Sequence, residues 1–409
     1  MDKRGLEKES APRRSIKTLA KVWAGRLSGV LFGVLMAWLM AEVLLRLFFF
    51  SLPPRLQLVL NHVHKTPFTE SKLLPDPIWQ PDREYLTITR PVKNHTQFGS
   101  ADVRFTVTTE TLWGSRAAFR TRQELVDRRV DAVAVGDSFT FCFTDEQDCW
   151  VQRLGQITDL NIINLGITST GSVSHERVLA TFGMPLKPPL VIWEWFGNDA
   201  NEDYGLAVMN GVTEVKSTNP PPAIPKYNWW DKNSAFYVLL KLYLGSSNAY
   251  EAALQFHDPV YAEKGQIKLA FGQPYLWDAF DMTQPSNLDG WARSQEALRA
   301  AREMIDSYGG TLVILLMPTK EQVYRDLSEP LLGAEKLALL DQPYQMMKDF
   351  CAQENLTCID LLPILQAYAA DGEQLYFTTD MHLNKRGNEV LAETLAGWIE
   401  EHPEASLTP

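Results

Sequence analysis

The chain has 409 residues, 45% of them hydrophobic, enough apolar material for one large globular domain with an appendage and too much for a disordered chain. Its formal net charge of −11 argues against nucleic acid as a partner, because a phosphate-binding face needs clustered Lys and Arg. The four cysteines fall into two close pairs, Cys142 with Cys149 and Cys351 with Cys358, and no Cys-x-x-Cys or Cys/His cluster suggests zinc. No metal or cofactor is expected. The cysteines predict two local disulfides in an oxidising compartment and core thiols in a reducing one.

The N-terminus bears on which compartment that is. Residues 1–26 form a basic tail with Lys3, Arg4, Lys8, Arg13, Arg14, Lys17, Lys21 and Arg26. Leu27 to Leu52 is almost continuously apolar and exceeds the roughly 20 residues a helix needs to cross a bilayer core. Its two charges, Glu42 and Arg46, are four apart, so they share a helix face and can pair near the far end. The basic flank predicts a cytoplasmic N-terminus. The length of the run and the lack of a small-x-small cleavage site predict an uncleaved single-pass anchor, with the rest of the chain outside the cytoplasm. Pro53-Pro54 is expected to end the anchor helix.

Residues 53–125 read as a stalk or small β-rich lead-in, in which Val103–Thr109 alternates like a half-wet strand. No chemistry is apparent there; His62, His64 and His95 have no ligand spacing and read as surface residues. From 126 to 402 the pattern changes to short apolar strands alternating with helices. Strands are predicted at VDAVAVGDS (from Val130), Asn161–Gly166, Leu190–Phe196, Thr311–Met317 and Thr357–Leu361, and the clearest helix at Trp291–Tyr308. This alternation predicts an α/β fold: a parallel sheet covered on both faces, with ligands at the carboxyl ends of its strands. Residues 205–290 interrupt the alternation with a Pro-rich turn (219–225), Trp229-Trp230 and a helix candidate near Ser234–Leu244, and read as an insertion beside the site. Local packing is the favoured reading of its aromatics, and lining a substrate groove the alternative.

Four blocks carry chemistry. Gly136-Asp137-Ser138 follows an apolar strand, where a serine at a strand-to-helix turn is exposed and near free backbone N–H groups. Thr140 excludes the G-x-S-x-G elbow. Asp380-Met381-His382 precedes a helix (Arg386–Glu400) for which Asn384 is a natural N-cap; an imidazole can take the serine proton and a carboxylate can hold its tautomer. Gly166 and Asn198 each end a predicted strand and could donate to an oxyanion, where loss of one donor costs roughly 2.7–4 kcal/mol. Asp137 and Asp199 read as braces of their loops, and His175 and His257 as structural or exposed.

Singly these blocks are weak. Their order and wider text, VGDSFTF with Trp150, NLGITSTG, WFGND, PTKEQVY and DMHLNKRG, resemble the SGNH/GDSL hydrolase superfamily over about 130–400, in particular a bacterial membrane-anchored branch related to polysaccharide O-acetylation proteins and esterases. The resemblance implies an SGNH-type three-layer α/β/α fold. It implies Ser138 as nucleophile, His382 as base, and Ser138, Gly166 and Asn198 as oxyanion-hole donors. Two positions depart from the pattern. Thr379 stands three before His382, where many members have Asp, so Asp380 is assigned as the orienting acid, a D-x-H form used in branches acting on polysaccharide acyl groups; Asp360 is a weaker substitute. Phe196 stands where G-x-N-D has its first Gly, a change expected to alter pocket shape more than the donor. The implied activity is that of a membrane-anchored serine esterase acting on acyl esters, including O-acylated glycans, through an acyl-serine. The alternatives are O-acyl transfer to a cell-surface polysaccharide, which the PTKEQVY text favours slightly, and a catalytically degenerate glycan- or partner-binding domain.

Overall fold

The computed structural model describes residues 16–48, 51–52, 60, 78–98, 102–214, 228–244 and 260–407. The first element is a long helix, α1 (Ile16–Leu47). Its stretch Trp23–Leu47 has a mean hydropathy of 2.0 and is long and apolar enough to cross a membrane. The helix thus starts eleven residues before the apolar run and stops five before the run's end, because backbone hydrogen bonding follows helix propensity as well as hydrophobicity. Pro53-Pro54, His62, His64, His257 and the Pro-rich turn lie outside the described residues.

Next come five short strands: β1 (Trp79–Asp82), β2 (Leu86–Thr89), β3 (Val92–Phe98), β4 (Arg104–Thr111) and β5 (Ala118–Phe119). β1 and β2 form one antiparallel pair; β3, β4 and β5 form a three-stranded antiparallel sheet. Along β4 the even-spaced Phe105 and Val107 are buried while Arg104 and Thr106 are exposed, as the alternation predicted.

The rest of the described chain is built on a five-stranded parallel sheet. Its strands and flanking helices are β6 (Ala132–Val135), α2 (Ser138–Phe141), α3 (Trp150–Thr158), β7 (Ile162–Asn164), α4 (Ser172–Val178), β8 (Leu190–Phe196) and α5 (Asp199–Met209). Then follow α6 (Trp229–Asn233), α7 (Ala235–Tyr243), the hairpin β9 (Val260–Lys264) with β10 (Ile267–Phe271), α8 (Pro274–Ala279), α9 (Pro285–Asp306) and β11 (Thr311–Met317). After β11 come α10 (Lys320–Val323), α11 (Ala334–Glu354), β12 (Thr357–Asp360), α12 (Leu361–Ala370) and α13 (Lys385–Glu401). The strand order is β12-β11-β8-β6-β7, every neighbour parallel. All seven residues of β8 are buried, so both faces of the sheet are covered. Alternate residues go to two separate cores. Ala132, Ala134, Ile192, Phe196, Val313 and Leu315 join Trp150 and the apolar side of α13. Val133, Val135, Trp193, Trp195, Ile314 and Leu316 join Trp291, Leu298 and Ile305 of α9. This is the three-layer α/β/α fold.

The chain winds from β6 outward to β7, then returns to the other side of β6 as β8. The crevice at the carboxyl ends of β6 and β8 is therefore the switch point, where ligands collect in open parallel sheets.

The stretch read as an insertion is smaller than 205–290. Its first residues complete α5 and its last begin α9, and these two helices pack together. Ile267, Leu269, Phe271, Leu276 and Phe280 belong to the main core. Their apolar side chains two apart in β10 are a strand signal that the preceding Pro-rich text obscured. At the crossing of α5 and α9 a Cβ on Gly290 would sit 1.7 Å from the Ala200 carbonyl oxygen. Ser294, the polar residue on the α9 stripe, donates to Asp203 at 2.6 Å.

Gly290→Ala should therefore push the two helices apart. We expect a loss of about 1–3 kcal/mol, typical of overpacking and larger than the gain in helix propensity. Denaturant unfolding of the detergent-solubilised chain, followed by Trp fluorescence, should show a lower midpoint; an unchanged midpoint would contradict the close crossing.

Candidate active site

β6 ends at Val135 and the chain turns through Gly136 and Asp137 into α2, whose first residue is Ser138. Asp137 caps this helix: its Oδ1 accepts from the Phe139 N–H at 2.8 Å. The turn is possible only because two glycines let backbones approach. A Cβ on Gly136 would lie 2.2 Å from Thr140 Oγ1, and one on Gly166 would lie 2.4 Å from the Phe141 nitrogen.

His382 reaches the turn from the loop before α13. That loop is closed by paired backbone contacts: Phe377 N–H donates to the His382 carbonyl (3.1 Å) and Asn384 N–H to the Leu375 carbonyl (2.9 Å). Asn384 caps α13 by accepting from Gly387 N–H at 3.0 Å. The His382 Nε2 lies 2.6 Å from Ser138 Oγ, and its Nδ1 lies 2.5 Å from Asp380 Oδ1. Asp380 also accepts the His382 backbone N–H at 2.9 Å. Burial alone would raise the Asp380 carboxyl, but the adjacent imidazole, its hydrogen bonds and Lys320 hold it below the usual carboxylate range. An ionised Asp380 requires the proton on Nδ1, which leaves the Nε2 lone pair facing the serine hydroxyl. Phe143 and Phe139 pack on the imidazole, with ring centroids 4.1 and 4.8 Å away. Asp360 is elsewhere, paired with Lys348 at 2.6 Å and accepting from Tyr344 at 2.7 Å. Thr379, at the position where Asp is common, donates instead to Asp102.

Asn198 follows β8 at the start of α5. Its Nδ2 donates to the Tyr275 hydroxyl at 3.1 Å, which in turn donates to Glu202 Oε1 at 2.8 Å. One Asn198 amide hydrogen is thus fixed by Tyr275 and the other is left to point elsewhere. Gly166 is close to α2, but its N–H is directed at Asn164 Oδ1 at 2.9 Å. The Ser138 N–H opens the first turn of α2, where no intrahelical acceptor exists. Phe196 points into the core, against Phe139 (4.7 Å) and Phe280 (5.2 Å).

Several supports had no motif to announce them. Glu194, a lone acid in the apolar run LVIWEWF, accepts the Asp137 N–H (3.1 Å) and the Thr140 hydroxyl (3.3 Å) beneath the nucleophile turn. Burial and the neighbouring Asp137 and Asp199 push its carboxyl well above its ordinary range. A lone acid inside a buried strand was itself the signal. Arg120, fully buried, donates through one nitrogen to the carbonyls of Phe141, Cys142 and Thr144 at 3.0, 2.6 and 3.0 Å. Burial lowers its guanidinium to about 10. Asp102 accepts from the backbone N–H groups of Thr378 and Thr379. Arg120 and Asp102 both come from the lead-in, so its described part frames the site. Its core even takes in Phe141 of α2. Both cysteine pairs are disulfides, Cys142–Cys149 with Cα atoms 5.5 Å apart and Cys351–Cys358 with 6.2 Å. The first closes the loop that follows Ser138. His175 is buried, with Nε2 3.2 Å from the Thr170 hydroxyl, and burial drops its pKa to about 3. Asp199 accepts from Ser172 at 2.7 Å.

Residues 275–409, which include Asp380 and His382, match the family model of the SGNH hydrolase-like domain, acetyltransferase AlgX. The probable alginate O-acetylase AlgJ of Pseudomonas putida is 32% identical over 100 residues, 24% of this chain and 25% of that protein. The match therefore spans about a quarter of that curated relative's length. Among solved structures, similarity extends to a lipolytic protein of the G-D-S-L family from Veillonella parvula (13% identity, 65% of this chain and 96% of that one, TM-score 0.35). It extends also to a catalytic mutant of Axe2, an acetylxylan esterase from Geobacillus stearothermophilus (11% identity, 66% and 92%, TM-score 0.34).

Behind the site, Asp137, Glu194, Asp199 and Asp203 are all buried. Burial raises Asp203 to about 7, against the lowering effect of its bonds from Ser294 and Val173. An acid whose folded pKa exceeds its unfolded one binds its proton more tightly when folded. Its contribution is full below about pH 4 and is lost as pH rises toward 7. Asp203→Asn removes the charge, keeps the bond accepted from Val173 N–H on Oδ1, and reverses the other so that Nδ2 donates to Ser294 Oγ. Its melting temperature should exceed that of the parent chain by more at pH 8 than at pH 5; an equal difference at both would refute the shifted titration.

Proposed function

We propose that this protein is a membrane-anchored serine acyl-ester enzyme that works outside the cytoplasm through an acyl-serine intermediate. The observation that carries the reading is the continuous hydrogen-bonded chain from Ser138 Oγ through His382 to Asp380. In this mechanism Ser138 is the nucleophile. His382 takes its proton as the Oγ–carbonyl bond forms, and Asp380 stabilises the resulting imidazolium. The tetrahedral oxyanion is met by the Ser138 N–H and the Asn198 amide, with Gly166 contributing through an N–H shared with Asn164. Collapse expels the alcohol, which takes the proton back from His382. A second hydroxyl compound then attacks the acyl-serine with His382 again as base.

That second attacker is water in an esterase and a sugar hydroxyl in a transferase. The family model, described as acetyltransferase AlgX, and the likeness to AlgJ favour transfer to a polysaccharide hydroxyl as the second reading. The apolar helix α1 and its basic flank support an anchor with the N-terminus inside, and the two disulfides fit an oxidising compartment. Tyr275 is a positioning residue for Asn198.

The full-length chain should be labelled by a fluorophosphonate at Ser138 and should hydrolyse p-nitrophenyl acetate. Ser138→Ala should abolish both. Undiminished turnover, or a chain inert to the probe, would refute the nucleophile and favour a binding role. Acetyl recovered on an added oligosaccharide in place of free acetate would identify transfer. Tyr275→Phe should lower kcat roughly tenfold, a fraction of the 10²–10³ that loss of an oxyanion donor costs, with KM little changed. In an Asn198→Ala background the same change should have no further effect. An undiminished tenfold effect there would show that Tyr275 does not act through Asn198.

A further inference from the structure

Glu42 and Arg46, the two charged residues near the end of α1, hold another part of the chain. Glu42 pairs with Arg46 at 2.8 Å and also accepts from the N–H groups of Ala235 (3.0 Å) and Phe236 (3.1 Å) and the hydroxyl of Ser234 (3.0 Å). It therefore caps the N-terminus of α7 with a carboxylate. Arg46 donates to the Asn233 carbonyl at 3.1 Å, and Trp38 Nε1 to the Ser234 hydroxyl at 3.2 Å. The Trp38 ring stands edge-on to Phe236 at 4.9 Å and to Trp230 at 6.2 Å. These contacts fix α6 and α7 beside the stretch Trp38–Arg46, the last three turns of the apolar helix.

The surface that α6 and α7 present away from these bonds is not suited to water. Trp229 is 65% exposed, Trp230 51%, Tyr243 88% and Leu244 65%. Leu31, Val34 and Leu35 of α1 continue the apolar surface and, with Trp38, Trp230 and Tyr237, line one groove. Lys241 bends its ammonium over the Tyr237 ring, 5.3 Å from the centroid. Exposed Trp and Tyr with a flexible Lys at the end of a membrane-crossing helix is the composition of a bilayer interface.

We propose that Trp229–Leu244 is a second membrane-contacting element, seated in the outer interfacial layer of the bilayer that α1 crosses, with lipid acyl chains filling the groove along Leu31–Trp38. The proposal rests on α1 spanning the membrane. Seated this way, α6 and α7 shield Glu42 from lipid and bring the enzyme to the membrane surface. Residues 215–227 fully extended span at most about 45 Å, and residues 245–259 about 50 Å. Glu214, five residues past the end of α5, and the start of β9 thus stay within about 50 Å of the headgroups. A substrate chain emerging at that surface would be within reach.

The test uses the full-length chain with its disulfides intact, reconstituted in phosphatidylcholine/phosphatidylglycerol vesicles. Single substitutions Leu31→Cys, Tyr243→Cys, Leu244→Cys and, on an exposed part of α3, Ile157→Cys are each labelled with a nitroxide. Collision with oxygen and with a water-soluble nickel chelate reports depth. Leu31 should be deep, Tyr243 and Leu244 shallow but within the bilayer, roughly 5–10 Å below the headgroups, and Ile157 aqueous. Adding Glu42→Ala should move the Tyr243 label toward the aqueous value. Water exposure at both Tyr243 and Leu244 with Leu31 still deep overturns this proposal and leaves the anchor intact. Water exposure at Leu31 overturns both. Labels at 243 and 244 shielded from both colliders, and only at high protein-to-lipid ratio, would overturn it in favour of a second copy of the chain.

Discussion

The structure depends on the close approach of three backbone segments around α2. The end of β6, the loop after β7 and the first turn of α2 meet so tightly that neither Gly136 nor Gly166 can carry a side chain. This approach aims the Ser138 hydroxyl at His382. It also explains what surrounds the turn. Backbone groups packed this closely have no room for water, so protein groups must satisfy them. Glu194 takes the Asp137 N–H, Asn164 takes the Gly166 N–H, and Arg120 takes three carbonyls beyond the helix. Trp150 donates from its indole to the Phe139 carbonyl at 3.0 Å and from its backbone N–H to Asn388 Oδ1 at 3.2 Å, which ties α2 to α13, the helix that follows His382.

The same constraint makes the N-terminal strands part of the candidate site's frame. Ile78, Val103, Phe105 and Val107 enclose Phe141 in a small core of their own, and Phe143 stacks on Trp79 and Phe105 before it reaches the His382 ring. Asp102 grips the backbone just ahead of Asp380, and Arg120 grips the backbone just after α2. One small antiparallel sheet thus holds both the serine side and the histidine side of the site. A disulfide between Cys142 and Cys149 restrains the loop at the same place.

Much of this fold was legible because parallel strands buried on both faces read as unbroken apolar runs. LVIWEWF and TLVILLM became β8 and β11 at the residues expected, and the stripe from Trp291 became α9. The sites at strand ends were legible for the same reason: the sheet's geometry tells which loops converge. What was not legible is long-range polar support. Asp102, Arg120 and Tyr275 reach the site from segments of no motif, and a lone charge reveals its partner only after folding. The Tyr275–Glu202 contact joins residues 73 apart, and the Asp102–Thr379 contact residues 277 apart. The insertion was overdrawn because Pro-rich text masked the alternation of Ile267, Leu269 and Phe271, which the core needs.

The distribution of charge in the buried acids follows from which of them has a cation. Asp380 touches an imidazole and lies near Lys320, whose Nζ donates to the Asp380 carbonyl at 2.9 Å; its charge is therefore favoured despite burial. Glu194 and Asp199 face other carboxyls, and burial together with those neighbours pushes both well above the usual carboxylate range. The Ser138 hydroxyl has two neighbours able to accept from it, Nε2 of His382 at 2.6 Å and Asp137 Oδ2 at 3.3 Å, and the nearer one is backed by the Asp380 carboxylate. An ionised Glu194 would place a further charge in the turn below Ser138 and oppose the alkoxide and oxyanion of the proposed reaction. Its raised carboxyl range disfavours that charge while the side chain braces the turn. The close approach that demands a buried acceptor at that position, and the absence of a cation from the bonds it makes, thus set the electrostatics of the site as well as its shape.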